Sequence, residues 1–217
     1  MPDRPADTQT AATWPDAPGL VARLLAPALA DRGRAVVGIT GPVGSGKSRL
    51  AAEIVAALPH TAVIVPTDAY LPDYEVVAFE ERDLPEHAHL DELASHLDDL
   101  RRGRPADIPV WSFDVHRRTG TRRLDPAPVI LCEGLFALHA SVAPHLDLAV
   151  FVEAPRDHRL ERMLARERAG ERGWTVEHAA EHFDHVAEPI FERYVGAYRA
   201  AANIIVDNPG MPEDLTA

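Results

Sequence analysis

Gly41-Pro42-Val43-Gly44-Ser45-Gly46-Lys47-Ser48 is the stretch on which the fold turns. It fits G-x-x-x-x-G-K-[ST], a loop that wraps a nucleotide's phosphates. Glycine at Gly41, Gly44 and Gly46 opens backbone dihedrals closed to other residues, so that, together with Pro42, Val43 and Ser45, successive N–H groups can converge on an anion. Lys47 adds a mobile positive charge for the outer phosphates. Ser48 offers a hydroxyl to Mg²⁺, a hard cation that takes oxygen ligands and binds with substrate phosphates.

The flanks supply the context that the loop needs. Ala35-Val36-Val37-Gly38-Ile39-Thr40 is a short apolar, β-branched run of the kind buried in a parallel sheet. After Lys47, the residues Leu50, Ala51, Ile54, Val55 and Leu58 recur at helical spacing, and Pro59 stops the helix. Strand, glycine loop and helix therefore follow in the required order, with the positive end of the helix aimed at the phosphates.

Farther out, the segments alternate between strand and helix. Ala62–Val65, Val129–Cys132, Leu148–Val152 and Asn203–Val206 read as strands, whereas Leu20–Leu29, His89–Leu100 and a charged stretch starting near Arg156 read as helices. This predicts an α/β fold of the P-loop NTPase type, a parallel sheet with helices on both faces. Residues 1–18, with four prolines and no signal-like apolar stretch, are expected to form a flexible tail, and residues 19–217 a single domain.

Composition excludes several classes. A chain of 217 residues with 46% hydrophobic content can bury a sizeable core, and a second full domain has little room. The net charge of −12 argues against nonspecific binding to nucleic acid or to an anionic membrane. No apolar window is long enough to span a bilayer. Cys132 is the single cysteine and lies in an apolar run, so it reads as a buried structural thiol, and a reducing cytoplasmic location is expected.

Sheets of this type present ligand-binding groups at the carboxyl ends of their strands. Asp68 follows the strand at Ala62–Val65, and Glu133 follows the strand at Val129–Cys132. Phosphoryl transfer needs the phosphate charge neutralised and the acceptor hydroxyl relieved of its proton; Asp68 suits the second task and Glu133 the holding of a metal. The plain alternative for either acid is a turn residue or helix cap. Arg159, Arg162 and Arg166 share one helix face, and Arg168 and Arg172 extend the set. Guanidinium groups pair bidentately with phosphate oxygens, so an arginine-bearing lid is one reading; a solvated helix neutralised by Glu161, Glu167 and Glu171 is the other.

Taken together these segments resemble the uridine kinase family, within the wider group that includes phosphoribulokinase and the bacterial-type pantothenate kinases. The resemblance rests on the loop itself, Thr67-Asp68-Ala69-Tyr70, Trp111-Ser112-Phe113-Asp114-Val115-His116-Arg117, Glu133-Gly134 and Arg159-Leu160-Glu161-Arg162, and it runs from about Val36 to Asn208. It implies an ATP-dependent kinase using Mg²⁺ and acting on a small-molecule hydroxyl, a nucleoside or related metabolite. Asp68 would be the general base, and Ser48 and Glu133, bordered by Asp68, the metal environment. Tyr70 would shape the acceptor site and Asp83 would accept hydrogen bonds from ribose hydroxyls. Trp111, Phe113 and His116 would line the nucleobase pocket. Lys47, Arg162, Arg166 and Arg172 would meet the phosphates, with Arg166 also bordering the acceptor. Members of such families often form homo-oligomers, although no interface is readable here.

Several positions depart from the family pattern. Trp111-Ser112 stands where Tyr-Asp is usual, Leu84 where histidine is usual and His89 where aspartate is usual. Met163 follows Arg162 in place of a second arginine, Trp174 replaces an arginine, and His182 replaces a glutamine. The phosphate-handling elements are kept better than the acceptor-handling ones. A kinase for pantothenate, a sugar phosphate or another alcohol is therefore a second reading. A nucleotide-binding regulatory module that transfers nothing is a third, although no Asn-Lys-x-Asp guanine signature follows the loop. The remaining histidines show no metal-ligand spacing.

Overall fold

All six residues of the strand leading into the loop are buried, which requires cover on both faces of the sheet that contains it. The structure is a computed structural model describing residues 9–210. Its strands, in chain order, are β1 (Thr10–Thr13), β2 (Ala35–Thr40), β3 (Ala62–Pro66), β4 (Ala106–Ser112), β5 (Arg117–Leu124), β6 (Val129–Glu133), β7 (Leu148–Glu153) and β8 (Ile204–Asp207). The helices are α1 (Ala17–Arg32), α2 (Lys47–Ala57), α3 (Leu90–Arg101), α4 (Arg156–Arg168), α5 (Val176–His182) and α6 (Glu188–Ala201). A π-helical turn, Phe183–Ala187, joins α5 to α6.

Six strands form a parallel sheet in the order β1-β8-β7-β2-β6-β3. Because side chains alternate across a strand, each strand serves two cores. Val37, Ile39, Leu131 and Val150 pack with Val21 and Leu25 of α1 and with Leu50 and Ile54 of α2. Val36, Ile130, Phe151 and Ile205 face the other way, toward Leu93 and Leu97 of α3 and Phe191 and Tyr198 of α6. Each such fully buried side chain contributes about 1.5–3 kcal/mol, so the strand bearing the loop is held rigidly from both sides. Cys132 is buried in the second core, and that burial pushes its thiol pKa well up, so it is a structural, unreactive thiol.

One sequence expectation is corrected. The tail expected over residues 1–18 is structured from Thr10 onward: β1 pairs in parallel with β8, a 3-10 turn covers Trp14–Asp16, and α1 begins at Ala17. Residues 1–8 lie outside the described residues. Thr-Ala-Ala-Thr carries no apolar pattern, because what recruits it is the open backbone edge of β8 rather than its own side chains. Gln9 secures the entry by donating from Nε2 to the carbonyls of Arg199 at 2.8 Å and Ala202 at 3.0 Å.

Residues 106–124, to which the sequence pattern assigns no element, form an antiparallel hairpin of β4 and β5 with a register irregularity at Val110/Trp111. β5 reads Arg-Arg-Thr-Gly-Thr-Arg-Arg-Leu and is largely exposed, so it lacks the alternation that marks a strand. The hairpin carries Trp111 at its buried face and brings the β4–β5 turn toward the loop end of the sheet. Met163, Leu164, Ala179 and Phe183 form a separate small core between α4 and α5, which builds the lid expected from the arginine stretch.

Candidate active site

The phosphate loop takes its shape from Gly44 and Gly46, whose φ values are +76° and +97°. At Gly44 a Cβ would lie 2.3 Å from the Arg159 carbonyl oxygen, so only glycine lets α4 pack on the loop. The arginine face of α4 then locks the loop from outside. Arg159 Nη1 donates to Val43 O at 3.3 Å, and Arg162 Nη1 donates to Gly44 O at 3.1 Å. Asn208, just beyond β8, donates from Nδ2 to Ser45 O at 2.8 Å. Arg159 is itself gripped by Glu188 of α6 at 2.5 and 2.6 Å. A solvated helix is thus not the role of Arg159 or Arg162.

Lys47 lies inside the loop and donates from Nζ to Pro42 O at 2.9 Å. Burial pulls its pKa down to about 8, against the raising effect of Glu133 and Asp68, so an anion placed there would be matched by a cation eager for a partner. Ser48 Oγ donates to Glu133 Oε2 at 3.1 Å. Burial, then Asp68, raises the Glu133 pKa. Hydroxyl and carboxylate together are the oxygen set that Mg²⁺ uses when it is shared with phosphates. Among the described residues no cluster of three His, Cys, Asp or Glu forms a separate metal centre. A bound Mg²⁺ would supply charge neutralisation for the outer phosphates, with Ser48 and Glu133 as its protein ligands.

Beyond the loop, one cavity of about 380 Å³ runs from the phosphate side to an aromatic lobe. Its lining brings together Gly44, Gly46, Lys47, Ser48, Asp68 and Glu133 on one side, with Asp83, Tyr74, Phe113, His116, Trp174 and His182 on the other. Arg162, Arg166 and Arg172 roof it. Arg166 is paired through Nε with Glu171 at 2.7 Å, and the Arg172 guanidinium lies 4.7 Å from the centre of the Phe113 ring. Asp68 is half-buried, and its charge acts both on Lys47 and Glu133 and on Asp83.

Two expected acceptor residues sit elsewhere. Tyr70 is fully buried and its hydroxyl lies 2.8 Å from His96 Nδ1 of α3, which turns it away from the cavity. Trp111 is a supporting layer: its Nε1 donates to Pro72 O at 3.2 Å, and its ring meets Tyr74, Phe113 and His116 edge-on. Gly41, Pro42 and Ser45 belong to the loop but do not line the cavity. Tyr74, Trp174, His182 and Asn208 were not assigned roles from sequence. Tyr74 and Trp174 stack with His116 at centroid distances of 5.5 and 5.2 Å. Trp174 and His182 were visible as departures from the family pattern, and Asn208 as a residue at a strand's carboxyl end. Nothing in the sequence around Tyr74 marked it. His116 adopts a positive φ of 51°, a conformation rare outside glycine, which aims its ring across the turn onto that stack.

Electrostatics divides the cavity. Burial, then Asp68, raises the Asp83 pKa to about 7, whereas burial, then Arg82, lowers that of His182 to about 3. His182 Nε2 lies 3.8 Å from Asp83 Oδ2, too far for a hydrogen bond, and a neutral imidazole makes no ion pair with it. Since Asp83 binds its proton more tightly folded than unfolded, its contribution to stability is lost as pH rises from about 4 to about 7. Urea midpoints are expected to favour pH 5 over pH 8, and Asp83→Asn is expected to narrow that difference. An unchanged difference would show that Asp83 is not the titrating group.

A profile of the Phosphoribulokinase / Uridine kinase family matches residues 36–217. The chain belongs to the phosphoribulokinase/uridine kinase family. It is 32% identical over 183 residues to a uridine kinase of Staphylococcus epidermidis, covering 81% of this chain and 88% of that one. It is 28% identical over 179 residues to a uridine kinase of Streptococcus pyogenes serotype M5, covering 79% and 86%. Among solved structures it is similar to YFH7 from Saccharomyces cerevisiae, with TM-score 0.67, 12% identity and coverage of 91% and 99%. It is also similar to D-glycerate 3-kinase from Cryptococcus neoformans, with TM-score 0.59, 15% identity and coverage of 81% and 87%. Those structures support the fold, a P-loop kinase sheet with helices on both faces. The family match and the uridine kinase relatives support a kinase, and phosphotransfer is the activity they support for this chain. Among the described residues no helix is long and apolar enough to cross a membrane.

Proposed function

We propose that this chain transfers the γ-phosphoryl group of ATP to a hydroxyl of a small molecule, with a nucleoside as the acceptor. The observation that carries this reading is that Asp68 lines one cavity with Lys47 and Ser48 as well as with Asp83, His116 and Trp174, and that its charge acts on Lys47, Glu133 and Asp83 alike. A hydroxyl held against Asp68 would face a phosphate held by the loop. The carboxylate would take the hydroxyl proton while Lys47 and the roofing arginines offset the charge on the transferring group. Asp83, when ionised, accepts hydrogen bonds from vicinal hydroxyls, and the aromatic lobe offers a face to a planar ring. The uridine kinase names of the bacterial relatives support the nucleoside assignment.

A panel of acceptors assayed for ADP release tests it. Uridine or cytidine is expected to exceed pantothenate, pentose phosphates and simple polyols by at least about tenfold in kcat/KM. Turnover confined to one of the other alcohols would leave the phosphotransfer intact and overturn the nucleoside. That second outcome has a structural motive, because Trp174 and His182, both departures from the family pattern, line the acceptor lobe. ATP binding with no acceptor-dependent turnover across the panel would favour a regulatory module.

A further inference from the structure

The register of the edge strands sets two side chains side by side. Thr13 at the end of β1 is paired with Asp207 at the end of β8, so the next residue on each strand, Trp14 and Asn208, emerges at the same end of the sheet. Both arrive at the last glycine of the phosphate loop. A Cβ built on Gly46 would lie 2.7 Å from Asn208 Nδ2 and 3.0 and 3.2 Å from two carbons of the Trp14 indole. Arg49, in the first turn of α2, sets its guanidinium 5.6 Å from the centre of the same ring. The loop backbone is thus supported at three successive residues: Gly44 by Arg162, Ser45 by Asn208, and Gly46 by Trp14.

We propose that Trp14 is a positioning residue of the nucleotide site, a rigid apolar buttress that holds Gly46 and the start of α2 in the shape that receives the phosphates. The phosphate-binding N–H groups at Gly46 and Lys47 point where the local backbone points, so a support that fixes Gly46 fixes them. Indole suits the task, since its rigid outer edge, Cη2 and Cζ3, reaches a residue without a side chain while the Arg49 cation lies against the same ring. The N-terminal strand is then part of the nucleotide site, delivered by backbone pairing to β8. This inference rests on the loop binding a nucleotide and is independent of the acceptor.

Titration calorimetry with Mg²⁺·ADP tests it without any acceptor. Trp14→Ala is expected to weaken ADP binding about tenfold. With an acceptor that supports turnover, KM for ATP is expected to rise in step while kcat and the acceptor KM stay within about twofold. Trp14→Phe, which keeps a ring against Gly46, is expected to recover most of the affinity. If Trp14→Ala does not fold, Trp14→Leu, apolar but without the ring's reach, gives the same reading. Unaltered ADP affinity in a folded variant overturns the proposal, as does an equal loss in kcat and both KM values, which would mark general structural damage. Wild-type protein that binds ADP but transfers nothing would sink the kinase reading alone. Wild-type protein that binds no nucleotide would overturn both.

Discussion

Asp68→Asn is expected to abolish most phosphoryl transfer, lowering kcat by about 10²–10⁴-fold, while ADP affinity stays within a few-fold of the wild type. The amide matches the carboxylate in shape and still accepts a hydrogen bond, so the acceptor can dock. What it cannot do is take up the hydroxyl proton. Single-turnover kinetics with the best acceptor, alongside calorimetric ADP binding, separates that loss from a loss of nucleotide. The position of Asp68 makes the prediction sharp: it follows β3, faces the same cavity as Lys47 and Glu133, and has Asp83 on its acceptor side. If transfer survived the change, another group would be the base and the two-lobed reading of the cavity would fall with it.

The second large effect is on stability. Arg159 and Glu188 form a bidentate pair at 2.5 and 2.6 Å, with side-chain exposures of 8% and 14%. Arg159 also donates to Ala154 O at 3.1 Å and to Val43 O of the loop. Glu188→Ala strands a buried guanidinium, a change that costs about 3–5 kcal/mol in comparable pairs. For a chain of this size that lowers the thermal midpoint by about 10 °C. The double variant Glu188→Leu with Arg159→Met is expected to recover much of the loss, since removing both charges removes the desolvation penalty as well. A Glu188→Ala midpoint within about 2 °C of the wild type would show that water reaches the guanidinium and that the pair does not clamp α4 to α6.

The sequence disclosed most of the donor half of the site because its physics is local. A strand, a glycine loop and a helix dipole act within fourteen residues, from Ala35 to Ser48. Buried strands announce themselves by apolar runs, and those of β2, β3, β6 and β7 were readable for that reason. β5 was not, because a solvent-facing hairpin strand rich in arginine has no apolar alternation to display. β1 escaped for a related reason: backbone pairing to an edge needs no particular side chains.

The acceptor half shows the same division residue by residue. Asp68 and Glu133 were legible because each ends a readable strand. Tyr70 was expected at the acceptor site on the resemblance to the family, but the 3-10 turn at Thr67–Tyr70 instead sends its ring into the core toward His96. Trp111 was expected as lining and proved to support the rings that do line the lobe. Tyr74 sits in a loop whose path is set by contacts with the distant hairpin, such as its N–H donating to His116 O at 2.9 Å.

The sequence by itself determined the phosphate loop, the strands that flank it and the arginine face of α4, because glycine dihedrals, apolar periodicity and helical spacing are properties of neighbouring residues. Only the tertiary structure decided that Arg159 clamps the loop to Glu188, that Trp14 and Asn208 meet at Gly46, and that Tyr74, His116 and Trp174 stack together in the cavity that Asp83 also lines. Those contacts join residues about 30 to 190 positions apart, and such pairings are set by how strands align and helices pack, which no local pattern encodes.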